Sequence, residues 1–406
     1  MKLFFSTVLG VLLASATPLI HAETVPLGTL VIAGGALRAD TADVWQRIVA
    51  LAGGKGARIA IVAAAAEDPL RSGAATVAIF KRYGAEAFVI PVAPLLAGAD
   101  VRVNANDAAI AAQVDAAGGV FFTGGEQSRI VAALVEPDQH RSKVLEAIWA
   151  VYARGGVLAG SSAGAAIMSS TMFYQPADTL SVLKFGAAAD KVLAPGLGFI
   201  GPQVFVDQHF LARGRFGRML PAMQTAGYRL GLGIDENTAI AVTRQNEVEV
   251  LGESGVLLMD LRHASGTAAV RGVQLSYLER GDHLTLTTGA IKPSTAKLAG
   301  RRLDPAAPDY DPVNEEPQYY PNGLGHNVLQ TLLSNLIDNP QREVIALAFG
   351  RPDQPEPQRG YEFRFRKSAS AVGYVVNDPQ RNRYTVLGIE MDMTPVRMQV
   401  PLYTKP

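Results

Sequence analysis

The sequence predicts an α/β protein whose core is a parallel sheet with helices on both faces, followed by a small α+β domain. Three observations support this prediction. Short, continuous apolar runs alternate with helix-like stretches in the first part of the chain. With 406 residues, 48% of them hydrophobic, the chain exceeds the usual length of one domain and can bury a large core. A Pro- and Asp-rich tract after Lys292 then separates a final stretch of different character.

Residues 1–22 have the pattern of a secretory signal peptide. Lys2 precedes an apolar run that reaches Ala14, and small residues follow it. Cleavage after Ala16 or after Ala22 fits the pattern, and the longer spacer favours Ala22. The alternative is an uncleaved anchor, but the run is short for a membrane span, and no later stretch is both long and uncharged enough for one. We expect a secreted protein, extracellular or periplasmic, with no membrane association after cleavage.

Residues 23–292 form the predicted catalytic domain. Apolar runs cover residues 29–33, 58–63, 87–92 and 119–122. Such short continuous runs are typical of parallel strands buried on both faces, and the helical spacing of apolar residues between them predicts connecting helices. The runs ending at Gly34 and Gly124 are each followed by a second glycine, at the strand ends where ligands bind in such sheets.

Residues 293–406 form the predicted linker and small C-terminal α+β domain. Strand-like stretches from about Glu247 could still close the sheet of the first domain. The tract LDPAAPDYDPVNEEPQYYPNG that follows Lys292 has the composition of a linker. After it come the helix-like HNVLQTLLSNLI and strand-like stretches such as YEFRFR.

Composition excludes several classes of function. Lys and Arg together number 37, as do Asp and Glu, so no bulk charge favours nucleic acid, and we expect no nucleic-acid partner. The absence of cysteine excludes a thiolate nucleophile and a thiolate metal site. GGALRAD lacks the glycine spacing of a dinucleotide fingerprint, and no two histidines have metal-ligand spacing. We therefore expect neither a cofactor nor a metal.

The stretch GGVLAGSSAGAAIMSS predicts a nucleophile elbow. An apolar, strand-like VLAG precedes two serines, and a helix-compatible AAIMSS follows them. A flexible linker is the alternative, but linkers are rarely framed in this way. In the motif G-x-S-x-G the central residue is Ser162, so Ser162 and not Ser161 is the predicted exposed hydroxyl.

Two further strand ends offer the partners that a serine nucleophile needs. VFV ends at Asp207, Gln208 and His209, while GLGIDENTA carries Asp235 and Glu236. A buried structural histidine and a solvated acidic turn would each explain one of these sites alone. Together they supply a base and an acid that orients it. The order Ser, His, Glu differs from the order in α/β-hydrolases, so the elbow does not imply that fold.

Four motifs together, GSSAGA, FFTGGEQSR, VDQHFLARGRFGR and GIDENTA, carry a family resemblance over roughly residues 27–292. They resemble the dipeptidase E-like serine peptidases and, within them, the cyanophycinases. The resemblance implies a flavodoxin-like sheet, Ser162 as nucleophile, His209 as base and Glu236 as its partner. It also implies an oxyanion hole made by the backbone N–H groups of Gly125 and Ala163.

The same resemblance implies a substrate. Cyanophycin is a poly-aspartate whose side chains carry arginine through isopeptide bonds, and the resemblance implies its cleavage to β-aspartyl-arginine. Six side chains are then expected to hold substrate: Gln127, Asp207, Gln208, Arg213, Arg215 and Arg218. Arginine suits this role because its planar fork can bind a carboxylate with two hydrogen bonds.

Some features depart from the family pattern or leave alternatives open. The family often has Thr where Ser161 stands, and its compact intracellular members lack the leader and the last ~110 residues. These additions indicate an enzyme that degrades polymer outside the cell. A dipeptidase acting on short aspartyl peptides, or a secreted binding protein without catalysis, is the alternative, and a homodimer is one candidate assembly.

Overall fold

The structure is a computed structural model that describes residues 28–175, 178–188, 191–379 and 381–399. The predicted signal peptide and both of its cleavage points lie outside the described residues, so they stay a prediction. Among the described residues, no helix is long and apolar enough to cross a bilayer.

The first part of the chain alternates strands with helices, as its apolar runs predict. The elements in chain order are β1 (Thr29–Ala33), α1 (Ala42–Leu51), β2 (Arg58–Val62), α2 (Pro69–Arg82), β3 (Glu86–Val89), α3 (Val101–Ala105), α4 (Ala108–Asp115), β4 (Gly119–Phe122), α5 (Gln127–Leu134), α6 (Lys143–Ala153), β5 (Val157–Ser161) and α7 (Ala163–Ala166). Strand β3 ends before the predicted residue 92 because Pro91 has no N–H group to donate to a neighbouring strand.

The later part of the chain is mainly strands. Its elements are β6 (Thr171–Phe173), α8 (Thr179–Phe185), β7 (Leu193–Pro195), β8 (Val204–Gln208), α9 (Phe216–Ala226), β9 (Leu230–Ile234), β10 (Thr238–Val242), β11 (Glu247–Gly252), β12 (Gly255–Asp260), β13 (Val270–Glu279), β14 (His283–Thr285), β15 (Ala290–Lys292), α10 (Thr295–Leu298), β16 (Arg301–Leu303), α11 (Val328–Ile337), β17 (Glu343–Phe349), β18 (Arg359–Val376) and β19 (Arg383–Arg397).

The first sheet contains the predicted parallel core. Its five parallel strands lie in the order β3-β2-β4-β5-β1, and β10, β11, β14 and β15 continue the sheet beyond β1 as antiparallel strands. This is the flavodoxin order 2-1-3-4-5, except that the fifth place is taken by the first strand of the chain. The predicted flavodoxin-like α/β class is confirmed.

A second sheet crosses the predicted boundary at residue 292. Its order is β16-β18-β19-β13-β12-β9-β8, with β17 paired to β18. Strands β8, β9, β12 and β13 come from the predicted catalytic domain, whereas β16 to β19 come from the predicted C-terminal domain. One hydrogen-bonded sheet therefore contains strands from both parts, and the domain division stays a prediction about sequence character.

The sheets bring together the strand ends that the sequence singled out. In the first sheet, β1 pairs with β5 so that Ala33 lies opposite Ser161. In the second sheet, β8 and β9 are parallel, and Gln208 lies opposite Ile234. The residues that follow these four strands thus meet in one region, where α/β sheets bind ligands.

Candidate active site

Ser162 occupies a strained turn between β5 and α7. Its φ of 55° and ψ of −109° are unusual for a residue with a side chain. The turn is tight: a Cβ atom at Gly160 would lie 2.2 Å from the carbonyl oxygen of Gly164. Only a glycine fits there, which explains why the smallest residues of the chain surround this serine. The predicted elbow is thus present, with the Ser162 side chain projecting from its apex.

His209 faces Ser162 from the end of β8. Its Nε2 atom lies 2.9 Å from the Ser162 Oγ atom. The His209 backbone N–H donates to the Gly34 carbonyl over 2.7 Å, and a Cβ atom at Gly35 would lie only 2.3 Å from Nε2. The paired glycines after β1 therefore support the imidazole closely.

Glu236 completes the chain of side chains. Its Oε1 atom lies 2.6 Å from His209 Nδ1. Because an ionised carboxylate only accepts hydrogen bonds, Nδ1 carries the proton and Nε2 is left to accept the Ser162 hydroxyl. The neighbouring Asp235 is buried and accepts hydrogen bonds from the N–H groups of Leu211 and Ala212, so it fixes the backbone instead.

The two predicted oxyanion-hole residues both lie near Ser162. Gly125 lines the same cavity as Ser162, and Ala163 is the first residue of α7. Among the hydrogen bonds of the described residues, none uses the N–H group of Gly125 or of Ala163. Both groups are thus available as donors, as an oxyanion hole requires.

The triad opens into a cavity of about 630 Å³. Its lining residues are Gly125, Glu126, Gln127, Ser162, Gln175, Asp178, Thr179, Gln208, His209, Arg213, Arg215 and Arg218. Of the six predicted substrate-binding residues, only Asp207 is not among them. Within the described part of the chain, no group of three or more metal-ligating side chains is present.

The three arginines differ in what they offer to a ligand. Arg218 is buried and binds Asp207 with two hydrogen bonds, of 2.8 and 2.6 Å. Arg215 donates to the Gln208 carbonyl over 2.6 Å, and burial lowers the pKa of Arg215 to about 10. Arg213 is 54% exposed, and its Nε atom lies 3.8 Å from Glu236. Arg218 lines the cavity although it binds Asp207, and the direct substrate-binding role of these two residues stays a prediction.

Negative groups line the cavity as well. Glu126 and Asp178 cap helices α5 and α8, accepting from the N–H groups of Ser128 and Ser181. Among the described residues, neither carboxylate has a basic side chain within ion-pair distance. The Oε1 atom of Gln208 is buried without a hydrogen-bond partner. The cavity therefore offers acceptors for a cation beside its arginines.

Residues 30–250 match the model of Peptidase family S51. The chain belongs to this family. A relative from Trichormus variabilis named cyanophycinase is 31% identical over 287 residues, covering 66% of this chain and 89% of its own. Another cyanophycinase, from Geminocystis herdmanii, is 32% identical over 275 residues, covering 64% and 93%. A solved peptidase structure from an acI-B1 Actinobacterium covers 64% of this chain and 98% of its own, at 20% identity and a TM-score of 0.48.

Family membership confirms the prediction of a serine-type peptidase. Sequence reasoning missed four residues of this S51 peptidase's cavity, Glu126, Gln175, Asp178 and Thr179. Glu126 could have been found, since it sits beside Gln127 in the motif FFTGGEQSR. No comparable motif marks the other three, which lie in a stretch without a family pattern.

The environment of His209 favours its neutral form. Burial lowers the pKa of His209 below its ordinary value of 6.5, and the positive charges of Arg213 and Arg215 lower it further. The hydrogen bond to Glu236 opposes this shift but does not cancel it. In the S51 peptidase the imidazole is therefore ready to accept a proton at neutral pH.

We predict that Gly35→Ala disables the site by displacing His209. The new methyl group would overlap the imidazole, and a displacement near 1 Å costs roughly 100-fold in rate. Gly53→Ala is the matched control, because Gly53 has φ of 117° against 113° at Gly35 and only a 3.9 Å neighbour. The measurement is kcat on peptide substrate and the thermal midpoint of both variants. Equal losses of kcat in the two variants would show that backbone strain, not the imidazole contact, is responsible.

Proposed function

We propose that this S51 peptidase is a secreted cyanophycinase that cleaves multi-arginyl poly-aspartate to β-aspartyl-arginine through an acyl-enzyme. The hydrogen-bonded chain Ser162, His209 and Glu236, opening into a cavity lined by charges of both signs, is the observation that carries the proposal. Relatives named cyanophycinase support the choice of substrate. The leader-like residues 1–22 support secretion.

In the proposed mechanism, the Ser162 Oγ atom attacks the carbonyl carbon of an aspartate backbone peptide bond while His209 Nε2 takes its proton. Negative charge develops on the carbonyl oxygen, where the N–H groups of Gly125 and Ala163 stabilise it. The peptide C–N bond then breaks, and His209 returns the proton to the leaving amine. Water, deprotonated by His209, hydrolyses the ester and restores Ser162. Glu236 stabilises the imidazolium in both halves of the reaction.

Substrate recognition is proposed to use charges of both signs. Each repeat of cyanophycin carries a carboxylate and a guanidinium on the same side chain. Arg213 and Arg215 suit the carboxylate, because they lie beside the triad and are not bound by two hydrogen bonds to an acid. Glu126 and Asp178 suit the guanidinium, since no base among the described residues lies within ion-pair distance of either carboxylate. Arg218 is proposed to act indirectly, by holding Asp207 and the floor of the cavity.

The decisive experiment is incubation of the purified protein with insoluble cyanophycin, followed by mass analysis of the dissolved products. We expect β-aspartyl-arginine, and we expect none from the Ser162→Ala variant. Unsubstituted poly-aspartate is the matched polymer control, which should stay intact because it offers no guanidinium. Release of free arginine, or cleavage of short aspartyl peptides only, would refute this function.

We predict that Ser162→Ala abolishes the activity and that Ser161→Ala does not. Removal of the nucleophile should lower kcat by about 10⁴-fold or more, because the catalytic unit then fails as a whole. Ser161 is the last residue of β5, and its hydroxyl has no part in the proposed mechanism. Burst kinetics and product formation by both variants provide the test, and the opposite ranking would contradict the assignment of the nucleophile.

We predict that kcat/KM falls on acidification with a midpoint below pH 6.5. The base must be neutral, and its pKa is lowered, so activity persists until the pH drops through that lowered value. Arg213→Ala should move the midpoint upward, because a positive charge that disfavours the imidazolium is removed. The exposed Arg244→Ala is the control. A wild-type midpoint above 6.5, or an equal shift in both variants, would contradict this account.

We predict that Arg213→Ala and Asp178→Asn each raise KM for cyanophycin while leaving the Ser162 hydroxyl reactive. Loss of a hydrogen bond to a charged group costs about 1.5–3 kcal/mol, and solvent exposure reduces that, so we expect roughly 5- to 20-fold in KM. Arg213→Lys should raise KM less than Arg213→Ala does, because lysine keeps the charge but not the planar fork. The measurements are KM for cyanophycin and, as a test of Ser162 reactivity, the rate of inactivation by a small uncharged sulfonyl fluoride, which should not change. Equal losses in both assays would assign these residues to the triad or the fold.

A further inference from the structure

The cavity wall that carries the arginines rests on the part of the chain beyond residue 292. We call residues 211–218 the arginine loop and residues 324–327 the support segment. We propose that the support segment, with His326 as its central positioning residue, holds the arginine loop in its substrate-binding position. This proposal depends on the proposed function only for its kinetic readout.

The backbone of the arginine loop is held from both sides. The N–H groups of Leu211 and Ala212 donate to Asp235, over 3.0 and 2.9 Å. Their carbonyls accept from the support segment: the Asn327 N–H donates to Leu211 over 3.0 Å, and His326 Nδ1 lies 2.8 Å from the Ala212 oxygen. Because a carbonyl only accepts, His326 Nδ1 must carry a proton. The backbone groups of two consecutive residues are thereby fixed at the root of the loop.

Leu324 explains the glycines that separate the arginines. A Cβ atom at Gly214 would lie 2.2 Å from the Leu324 carbonyl oxygen. One at Gly217 would lie 3.0 Å from the Leu324 Cδ2 atom. A side chain at Gly214 would push the loop off the support segment, whereas one at Gly217 would also meet Leu183 and Thr179 of α8 at 3.0 Å. The pattern R-G-R-F-G-R thus matches a loop that carries three arginines on one side and packs against a second piece of chain on the other.

Strand β18 also packs against the elements that form this cavity wall. The ring centroid of Phe216 lies 5.0 Å from that of Phe363 and 6.2 Å from that of Phe365. The Tyr361 hydroxyl donates to the Leu183 carbonyl over 2.5 Å at the end of α8, the helix that Asp178 caps. Residues beyond 292 therefore contact both elements that line the charged side of the cavity.

The catalytic pair has supports of its own outside these contacts, although the Arg213 N–H of the arginine loop donates to the His209 carbonyl over 3.2 Å. Ser162 follows a strand of the first sheet, and His209 is held by Gly34 and Gly35. Loss of the support segment should therefore loosen substrate binding and leave the chemistry of the hydroxyl intact. This split between KM and hydroxyl reactivity distinguishes a positioning role from a general contribution to folding.

The test uses His326→Ala in the full-length protein, with His326→Asn as the conservative variant and the exposed His283→Ala as the control. Loss of one hydrogen bond should raise KM for soluble cyanophycin roughly 3- to 10-fold, with unchanged inactivation by a sulfonyl fluoride. The Asn amide can donate where Nδ1 does, so it should restore KM. Hydrogen exchange of the amides in residues 211–218 should be faster in His326→Ala alone. Tyr361→Phe, which loses a single hydroxyl, should also raise KM.

An unchanged exchange rate together with an unchanged KM in His326→Ala would overturn the proposal. So would a fall in sulfonyl fluoride reactivity that parallels the rise in KM, because the segment would then support the triad or the whole fold. If wild-type protein fails to degrade cyanophycin, the proposed function is wrong, and the exchange measurement still decides whether residues 324–327 hold the arginine loop.

Discussion

The active site depends on the backbone hydrogen bonds that join the two sheets at Gly34 and Gly35. Ser162 belongs to the first sheet, whereas His209 and Glu236 follow strands of the second. His209 donates its N–H to Gly34, and Asn237 donates its N–H to Gly35 over 2.8 Å. These two bonds act together with a core that residues of both sheets share, and they hold His209 within 2.9 Å of the Ser162 hydroxyl. The glycine pair therefore aligns the triad, and its lack of side chains lets the imidazole approach.

Charge in this protein is arranged locally. The chain has no formal net charge, yet one cavity concentrates three arginines and several carboxylates. Part of this charge is internal: Asp207 binds Arg218, and Glu236 binds His209. What remains, Arg213 and Arg215 together with Glu126 and Asp178, offers both signs of charge, which suits the zwitterionic side chain of the proposed substrate. Burial lowers the pKa of His209, and the positive charges of Arg213 and Arg215 lower it further, so the same cavity keeps the base neutral.

The sequence predicted the parallel core and the candidate residues Ser162 and His209 because each has a local signature. A short apolar run followed by small or polar residues marks a strand end, and four such ends carried the motifs. It did not predict that Arg218 and Asp207 bind each other. In the linear motif, nothing distinguishes Arg218 from the other two arginines as the partner of Asp207. Nor could it predict the support segment, because His326 and Ala212 are 114 residues apart and no motif links them. Glu236 could be chosen over Asp235 only through the family resemblance. The structure shows why Asp235 is not the partner of His209: its carboxylate accepts hydrogen bonds from the N–H groups of Leu211 and Ala212 instead.

The sharing of the second sheet between early and late parts of the chain has a consequence for synthesis. Strand β13 pairs with β19, with Val270 opposite Met393. A nascent chain that has emerged as far as residue 292 contains Ser162, His209 and Glu236 but lacks both β19 and the segment that holds the arginine loop. Contacts so distant in sequence form late, because the chain between them must be ordered first. The proposed catalytic residues can thus come together before the segment proposed to hold the arginine loop, and the proposed selectivity would be acquired only with the final strands.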